Sequence, residues 1–98
     1  MERQDILELV KRHEREIRAR GITRLELFGS MARADARDDS DVDVVVDIEP
    51  NRKFSLIDLA SLRVLLCDVL GRETDVVIRE DLRPRFREEI ERDTVRVI

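Results

Sequence analysis

The chain has 98 residues, and 42% of them are hydrophobic, which is enough for one small core and predicts a single domain over residues 1–98. Charged residues make up 43%, but 19 basic and 23 acidic side chains leave a net charge of only −4, which argues against disorder and against direct nucleic-acid binding. No apolar run is long enough for a membrane helix, the charged N-terminus argues against a secretory signal, and a lone Cys67 excludes an internal disulfide and a cysteine-based zinc site. These features favour a small cytoplasmic domain without membrane contact.

Hydrophobic periodicity predicts alternating helices and strands in the first half of the chain. Apolar residues at three- and four-residue steps predict an amphipathic helix over 5–20, ended by Gly21. Alternation over 23–28 predicts a strand, a small helical stretch follows over 31–36, and a run rich in β-branched residues predicts a second strand over 41–48.

The second half continues the alternation. We expect a helix over 56–70, a third strand over 75–79, a last helix capped by Asp81, and a short edge strand over 95–98. The apolar residues of that last helix recur at four-residue steps: Leu82, Phe86 and Ile90. The element order predicts an α/β or α+β fold with one small sheet.

Three aspartates stand at the predicted starts of two strands. Asp41 and Asp43 are two residues apart, so they point to the same face of the second strand, and Asp75 joins them if the third strand pairs beside it. Close carboxylates repel and raise one another's pKa, and a hard cation such as Mg²⁺ relieves the repulsion. Three carboxylates converging from two strands suit two-metal phosphoryl transfer.

Gly29 and Ser30 follow the first strand and begin a helical stretch. A glycine lets the backbone approach a phosphate closely, and a serine hydroxyl adds a donor or caps the helix. Each feature alone also has an ordinary structural explanation, as a turn or as a solvated strand end.

Together these residues resemble the minimal nucleotidyltransferases of the DNA polymerase beta superfamily, whose hallmark is Gly-Ser, a ten-residue spacer and Asp-x-Asp. The longer local pattern of that family is matched by Gly29, Ser30, Ala32, Arg33, Ser40, Asp41 and Asp43. The third carboxylate of the family lies on a later strand, which fits Asp75. The resemblance covers nearly the whole chain.

The resemblance implies a mixed sheet of three or four strands flanked by helices. The carboxylates that it implies for catalysis and for two Mg²⁺ ions are Asp41, Asp43 and Asp75. Asp75 either completes the second metal site or activates the acceptor hydroxyl. The nucleotide-binding residues that it implies are Gly29, Ser30 and Arg33. Arg33 either contacts phosphates or has only a structural role, and the sequence leaves both open.

Small free-standing proteins resembling this one are commonly antitoxins that transfer AMP from ATP to a tyrosine of a HEPN-type ribonuclease toxin. The resemblance therefore implies ATP and a HEPN toxin as partners, and the absence of Tyr from this chain means that a tyrosine acceptor lies on another molecule. The alternatives are a degenerate antitoxin that acts by binding alone, and an enzyme that modifies a small molecule or an RNA end. No obvious base-stacking aromatic residue indicates which nucleobase is used.

The predicted helix over 56–70 is apolar around most of its circumference. A helix that covers one sheet face needs an apolar stripe only about 100° wide. This helix is therefore either buried on two sides or exposed as an interface, and in the second case the isolated chain is expected to self-associate or to bind an apolar groove of its partner.

Overall fold

The computed structural model describes residues 2–33 and 41–98. The helices in chain order are α1 (Arg3–Arg12), α2 (Glu14–Ala19), α3 (Ser30–Arg33), α4 (Leu56–Leu70), a 3₁₀ turn (Arg79–Asp81) and α5 (Pro84–Glu91). The strands are β1 (Ile22–Phe28), β2 (Val42–Ile48), β3 (Thr74–Ile78) and β4 (Val95–Arg96). The fold class is thus mixed α+β with one small sheet, as the sequence predicts.

The four strands form a mixed sheet in the order β3-β2-β1-β4. Strand β1 pairs antiparallel with β2 and β4, whereas β2 and β3 are parallel. The register places Phe28 opposite Asp43, and Asp43 opposite Asp75. The end of β1 and the beginnings of β2 and β3 therefore meet at one corner of the sheet.

The two faces of the sheet differ in composition. One face carries Leu25 and Leu27 opposite Val46 and Val44. These side chains belong to the main core together with apolar residues of α1, α2 and α4: Ile6, Val10, Ile17, Leu62, Leu66 and Leu70. The other face, which we call the polar face, carries the alternate residues along each strand: Arg24, Glu26, Phe28, Asp43, Val45, Asp47, Asp75 and Val77. Helix α5 contacts part of the polar face.

The first predicted helix is wrong as a single element, because it is divided at His13. In a continuous helix the Leu9 carbonyl would accept the backbone N–H of His13, but that N–H donates to Val10 instead. The His13 ring occupies the Leu9 carbonyl, with Nδ1 2.9 Å from its oxygen. Sequence periodicity does not detect the break, since Ile6, Val10 and Ile17 are all still buried.

The last helix begins later than predicted. Asp81 lies in the 3₁₀ turn and does not cap α5, which begins at Pro84. The ring of a proline disfavours helical geometry in the preceding residue, and Arg83 is accordingly extended, with φ −64° and ψ 143°. Of the predicted apolar series only Ile90 is buried, while Phe86 is 47% exposed.

Helix α4 has its predicted bounds and ends at Gly71, which adopts a left-handed conformation. Leu62, Leu66 and Leu70 are buried in the core. The opposite side exposes other apolar residues: Leu56, Ile57 and Val64. The described chain thus covers only one side of α4, and the self-association or partner binding expected for the other side stays a prediction.

The apolarity of α4 raises the question of a membrane-spanning helix. Among the described residues no helix, α4 included, is both long enough and apolar enough to cross a membrane.

Candidate active site

The three predicted carboxylates meet at the corner of the sheet. Asp43 and Asp75 are paired across β2 and β3, so their side chains lie on the same polar face. Asp41 directly precedes β2. Asp43 is half-buried, whereas Asp41 and Asp75 are exposed. The parallel pairing of β2 with β3 is the condition under which the sequence predicted that the three side chains would come together.

The charges at this corner affect one another. Burial raises the pKa of the Asp43 carboxyl, and the neighbouring charges of Asp75 and Asp41 raise it further. The guanidinium of Arg33 acts in the opposite direction and lowers that pKa. Repulsion among carboxylates is the condition that a bound divalent cation relieves.

The donor set fits Mg²⁺, which prefers carboxylate oxygens and usually keeps several waters. Within residues 2–33 and 41–98, no three His, Cys, Asp or Glu side chains form a group set closely enough to enclose an ion. Asp43 and Asp75, paired across the two strands, are two carboxylates of the kind that Mg²⁺ accepts as ligands.

Gly29 lies directly against this group of carboxylates. It follows β1 with φ +71°, and a Cβ atom built at this position would be 2.6 Å from Oδ2 of Asp43. A side chain would therefore be strained by the backbone conformation and would also collide with the carboxylate. The predicted phosphate loop and the predicted metal residues thus form one continuous surface.

The two other predicted nucleotide-binding residues follow Gly29 on α3. Ser30 is the first residue of this helix, and the N–H of Arg33 donates to the Gly29 carbonyl at 3.1 Å. Ser30 is therefore inside the helix and is not its N-cap. The remainder of the predicted helical stretch, 34–36, and the motif residue Ser40 lie outside the described residues.

A second charged cluster on the polar face was not predicted from the sequence. The guanidinium of Arg79 binds Glu26, lies 2.9 Å from Oδ1 of Asp47 through Nε, and lies 3.1 Å from Oε1 of Glu91 through Nη1. Arg79 is 9% exposed and Glu26 is 4% exposed. We call these four residues the Arg79 cluster. No signal of this cluster is present in the sequence, because a polar Glu26 between Leu25 and Leu27 is the ordinary alternation of a strand with one apolar face.

Every carboxylate of the Arg79 cluster is paired with Arg79, and Arg24 and Arg87 add a second pair to Glu26 and to Glu91. Burial opposes the charge of Arg79, but its hydrogen bonds to Asp47 and Glu26 raise the pKa of the guanidinium. The hydrogen bond from Arg79 lowers the pKa of Glu91, and Arg87 acts in the same direction. The acidic residues at this end of the face therefore have their counterion within the fold.

A cavity of about 240 Å³ adjoins the candidate site, between the end of β1 and helix α5. Its lining comprises Phe28, Gly29, Arg33, Phe86, Glu89, Ile90 and Asp93. Two of the three phenylalanines of the chain thus lie next to Gly29. Sequence periodicity does not reveal this arrangement, because it places Phe86 on the buried side of α5 and does not show where α5 packs.

Comparisons with known proteins agree with this geometry. The model of the nucleotidyltransferase domain family matches residues 10–97. The protein adenylyltransferase MntA of Thermococcus cleftensis is 33% identical over 96% of this chain and 94% of its own length. A protein of Methanocaldococcus jannaschii, assigned as a protein adenylyltransferase, is 35% identical over 80% of this chain and 82% of its own length.

Solved structures give the same result. One that is assigned as a minimal nucleotidyltransferase has a TM-score of 0.72 and 34% identity, covering 97% of this chain and 95% of that one. A Shewanella oneidensis complex of a tri-AMPylated HEPN toxin with its antitoxin has a TM-score of 0.72 at 16% identity, covering 98% of this chain and 71% of that one, and so shows the fold alone. The corner of carboxylates, the glycine packed against it and these matches lead to one conclusion: the chain belongs to the nucleotidyltransferase domain family and is a transferase enzyme.

Proposed function

We propose that the chain is the antitoxin of a toxin–antitoxin pair, and that it transfers AMP from ATP to a tyrosine hydroxyl of a HEPN-type ribonuclease toxin. The observation that carries this proposal is the contact surface formed by Gly29, Asp43 and Asp75, which joins a phosphate loop to paired carboxylates. The relative from Thermococcus cleftensis is named a protein adenylyltransferase, and a protein of the same fold is an antitoxin bound to an AMPylated HEPN toxin.

In this proposal Asp41 and Asp43 would hold two Mg²⁺ ions, and Asp75 takes the second of its two expected roles, activation of the acceptor hydroxyl. The bound ions would supply positive charge against the triphosphate and the departing pyrophosphate. The backbone of Gly29 and the hydroxyl of Ser30 donate hydrogen bonds to phosphate oxygens. We assign Arg33 to the phosphates as well, because its charge already acts on Asp43.

The acceptor reaches the corner from outside the chain. Asp75 is exposed on the edge strand β3, so a hydroxyl of a second protein can approach it. The acceptor oxygen forms a bond to the α-phosphorus of ATP, and the bond from that phosphorus to the bridging oxygen breaks. Pyrophosphate leaves, and Asp75 accepts the hydroxyl proton. Since the chain has no Tyr, a tyrosine acceptor lies on the partner.

Mass spectrometry tests this proposal. The full chain is incubated with ATP, Mg²⁺ and the protein encoded by the neighbouring gene, and the expected result is the mass of one or more AMP groups on a tyrosine of that protein. The Asp43→Asn chain serves as the control and should leave the toxin unmodified. Toxin neutralisation without any adduct would overturn the proposal in favour of binding alone, and AMP transfer only to RNA or to a small molecule would overturn the protein acceptor.

We also expect the chain to act in the cytoplasm, where ATP is available. A fusion of the full chain to a fluorescent protein tests this expectation by its location in cells.

A further inference from the structure

We propose that the 240 Å³ cavity beside Gly29 is the nucleobase subsite of the nucleotide donor, and that it takes a base bearing an exocyclic amino group. Phe28 and Phe86 would contact the ring, and the carboxylates of Glu89 and Asp93 would accept hydrogen bonds from the amino group. This inference rests on the proposed function, because it assumes that a nucleoside triphosphate binds at Gly29.

The cavity is continuous with the candidate active site. Gly29 lines the cavity and also contacts Asp43, where a Cβ would be 2.6 Å from Oδ2. Arg33 lines the cavity too, and its charge acts on Asp43. A nucleotide with its phosphates at Gly29 therefore has this cavity as its neighbouring space.

The size and the charge of the cavity select the base rather than the phosphates. Its volume of about 240 Å³ is below the roughly 300–1,000 Å³ of pockets that hold a drug-sized ligand, so it takes one ring system. Glu89 and Asp93 would repel a triphosphate, whereas Arg33 of α3 would attract the phosphates to the Gly29 end of the cavity. The base is the part of the nucleotide that carries no charge and that presents amino donors, which ionised carboxylates accept.

The apolar wall matches a ring face. Phe86 is 47% exposed, and it is the aromatic member of the four large apolar residues that stand exposed in the described chain. Stacking of a base on an aromatic side chain would cover that surface and is tolerant of base identity. The specificity for an amino group therefore comes from the two carboxylates and the affinity from the two phenylalanines.

The wall formed by α5 is fixed before any ligand binds. Glu91 of α5 is held by Arg79 at 3.1 Å, and Arg79 is anchored to Glu26 of β1 and Asp47 of β2. Ile90, the residue before Glu91, is 6% exposed and anchors the helix from the apolar side. The cavity is thus preformed, which favours ligand binding because little ordering is required.

Calorimetry with two probes separates this inference from the proposed function. The non-hydrolysable ATP analogue AMP-PNP reports the whole donor site, and inorganic tripolyphosphate reports only the phosphate and metal part, both with Mg²⁺. We expect Phe86→Ala to weaken AMP-PNP binding roughly tenfold, in line with the loss of one stacked base, and to leave tripolyphosphate binding unchanged. The control is Glu88→Ala, on the same helix but outside the cavity lining. If Phe86→Ala does not fold, Phe86→Leu keeps the apolar volume and removes only the ring.

A second pair of variants tests the amino group. Glu89→Gln combined with Asp93→Asn should reduce the preference for ATP over purine riboside triphosphate, which lacks the amino group, while Glu88→Gln should retain it. If Phe86→Ala and Phe86→Leu bind AMP-PNP as the wild type does, the inference is overturned, and the proposed function stands as long as Asp43→Asn loses both probes. Unchanged AMP-PNP binding with slower transfer to the toxin would assign the cavity to the acceptor side chain instead. Failure of the wild type to bind either probe would overturn both.

Discussion

The polar face of the sheet carries acidic residues at both ends, but the carboxylates are paired with an arginine at one end and repel one another at the other. At the Arg79 cluster, Glu26, Asp47 and Glu91 share one guanidinium, and the pKa of Glu91 is lowered. At the corner of Asp41, Asp43 and Asp75, burial and mutual repulsion raise the pKa of Asp43.

This difference separates acids that the fold pairs with arginines from acids that we propose to bind a ligand. Val45 lies between Asp43 and Asp47 along β2 and is fully buried, so it forms an apolar boundary between the two ends. Acids that the fold pairs with arginines already have a counterion, whereas acids held against one another repel, and a bound cation would relieve that repulsion. Substitutions at the corner should therefore change nucleotidyl transfer, and substitutions at the Arg79 cluster should change the free energy of unfolding.

The largest effect is expected at the corner. Asp43→Asn should leave the fold intact but raise the barrier to nucleotidyl transfer by several kcal/mol, on the order of what metal-borne charge stabilisation supplies. Removal of Mg²⁺ with a chelator should reduce the wild type to the same low rate. Transfer rates measured by mass spectrometry, with circular dichroism for the fold, check this prediction. Equal transfer by Asp43→Asn and the wild type would contradict the assignment.

The next effect concerns the Arg79 cluster. Arg79→Met should lower the free energy of unfolding by about 3 kcal/mol, because it removes the buried counterion of Glu26 and leaves only the half-exposed Arg24 beside that buried carboxylate. The matched control is Arg24→Met, since Arg24 also pairs with Glu26, at 3.3 Å, but its side chain is 44% exposed. That pair should contribute less than about 1 kcal/mol. Urea unfolding of both variants gives the comparison, and similar losses would show that burial of the pair is not what matters.

The sequence predicts the two ends of the polar face to different extents. The corner could be predicted, because alternation along a strand and the spacing of Asp41, Asp43 and Asp75 depend on local geometry. The Arg79 cluster joins two strands and a helix at sequence separations of 53, 32 and 12 residues, and no local pattern reports such partners.

The nucleobase cavity was missed for the same reason. It depends on α5 packing over the polar face, which brings Phe86 next to Phe28 and Gly29. The break at His13 was missed for a different reason, because the ring competes for one backbone carbonyl while the apolar periodicity continues.

Two of the three glycines with positive φ in the described residues provide a smaller test of the corner. Gly29 has φ +71° and Gly71 has φ +64°, so an alanine at either position meets similar backbone strain, about 1–2 kcal/mol. An added Cβ collides with Asp43 at position 29 but meets nothing within 4 Å at position 71. Gly29→Ala should therefore reduce nucleotide binding and transfer strongly, and Ser30→Ala more weakly, while Gly71→Ala should only lower stability. Full activity of folded Gly29→Ala would exclude the phosphate role of this loop.

The smallest effect is the pH dependence of the Arg79 cluster, measured at Glu91. The hydrogen bond from Arg79 lowers the pKa of Glu91 from its ordinary value of 4.5. A lowered pKa in the folded state means that the stabilisation is complete above pH 4.5 and is lost as the pH falls through the lowered value. The free energy of unfolding, measured with urea, should thus differ between the wild type and Glu91→Gln at pH 7, and this difference should shrink in acid.

Because the Glu91 side chain is 46% exposed, high salt should also reduce this difference in unfolding free energy. Glu88→Gln, on the exposed side of α5, should show no comparable pH-dependent change, and a wild-type advantage over Glu91→Gln that stays constant from pH 7 to acid would refute the ionic contribution of this residue.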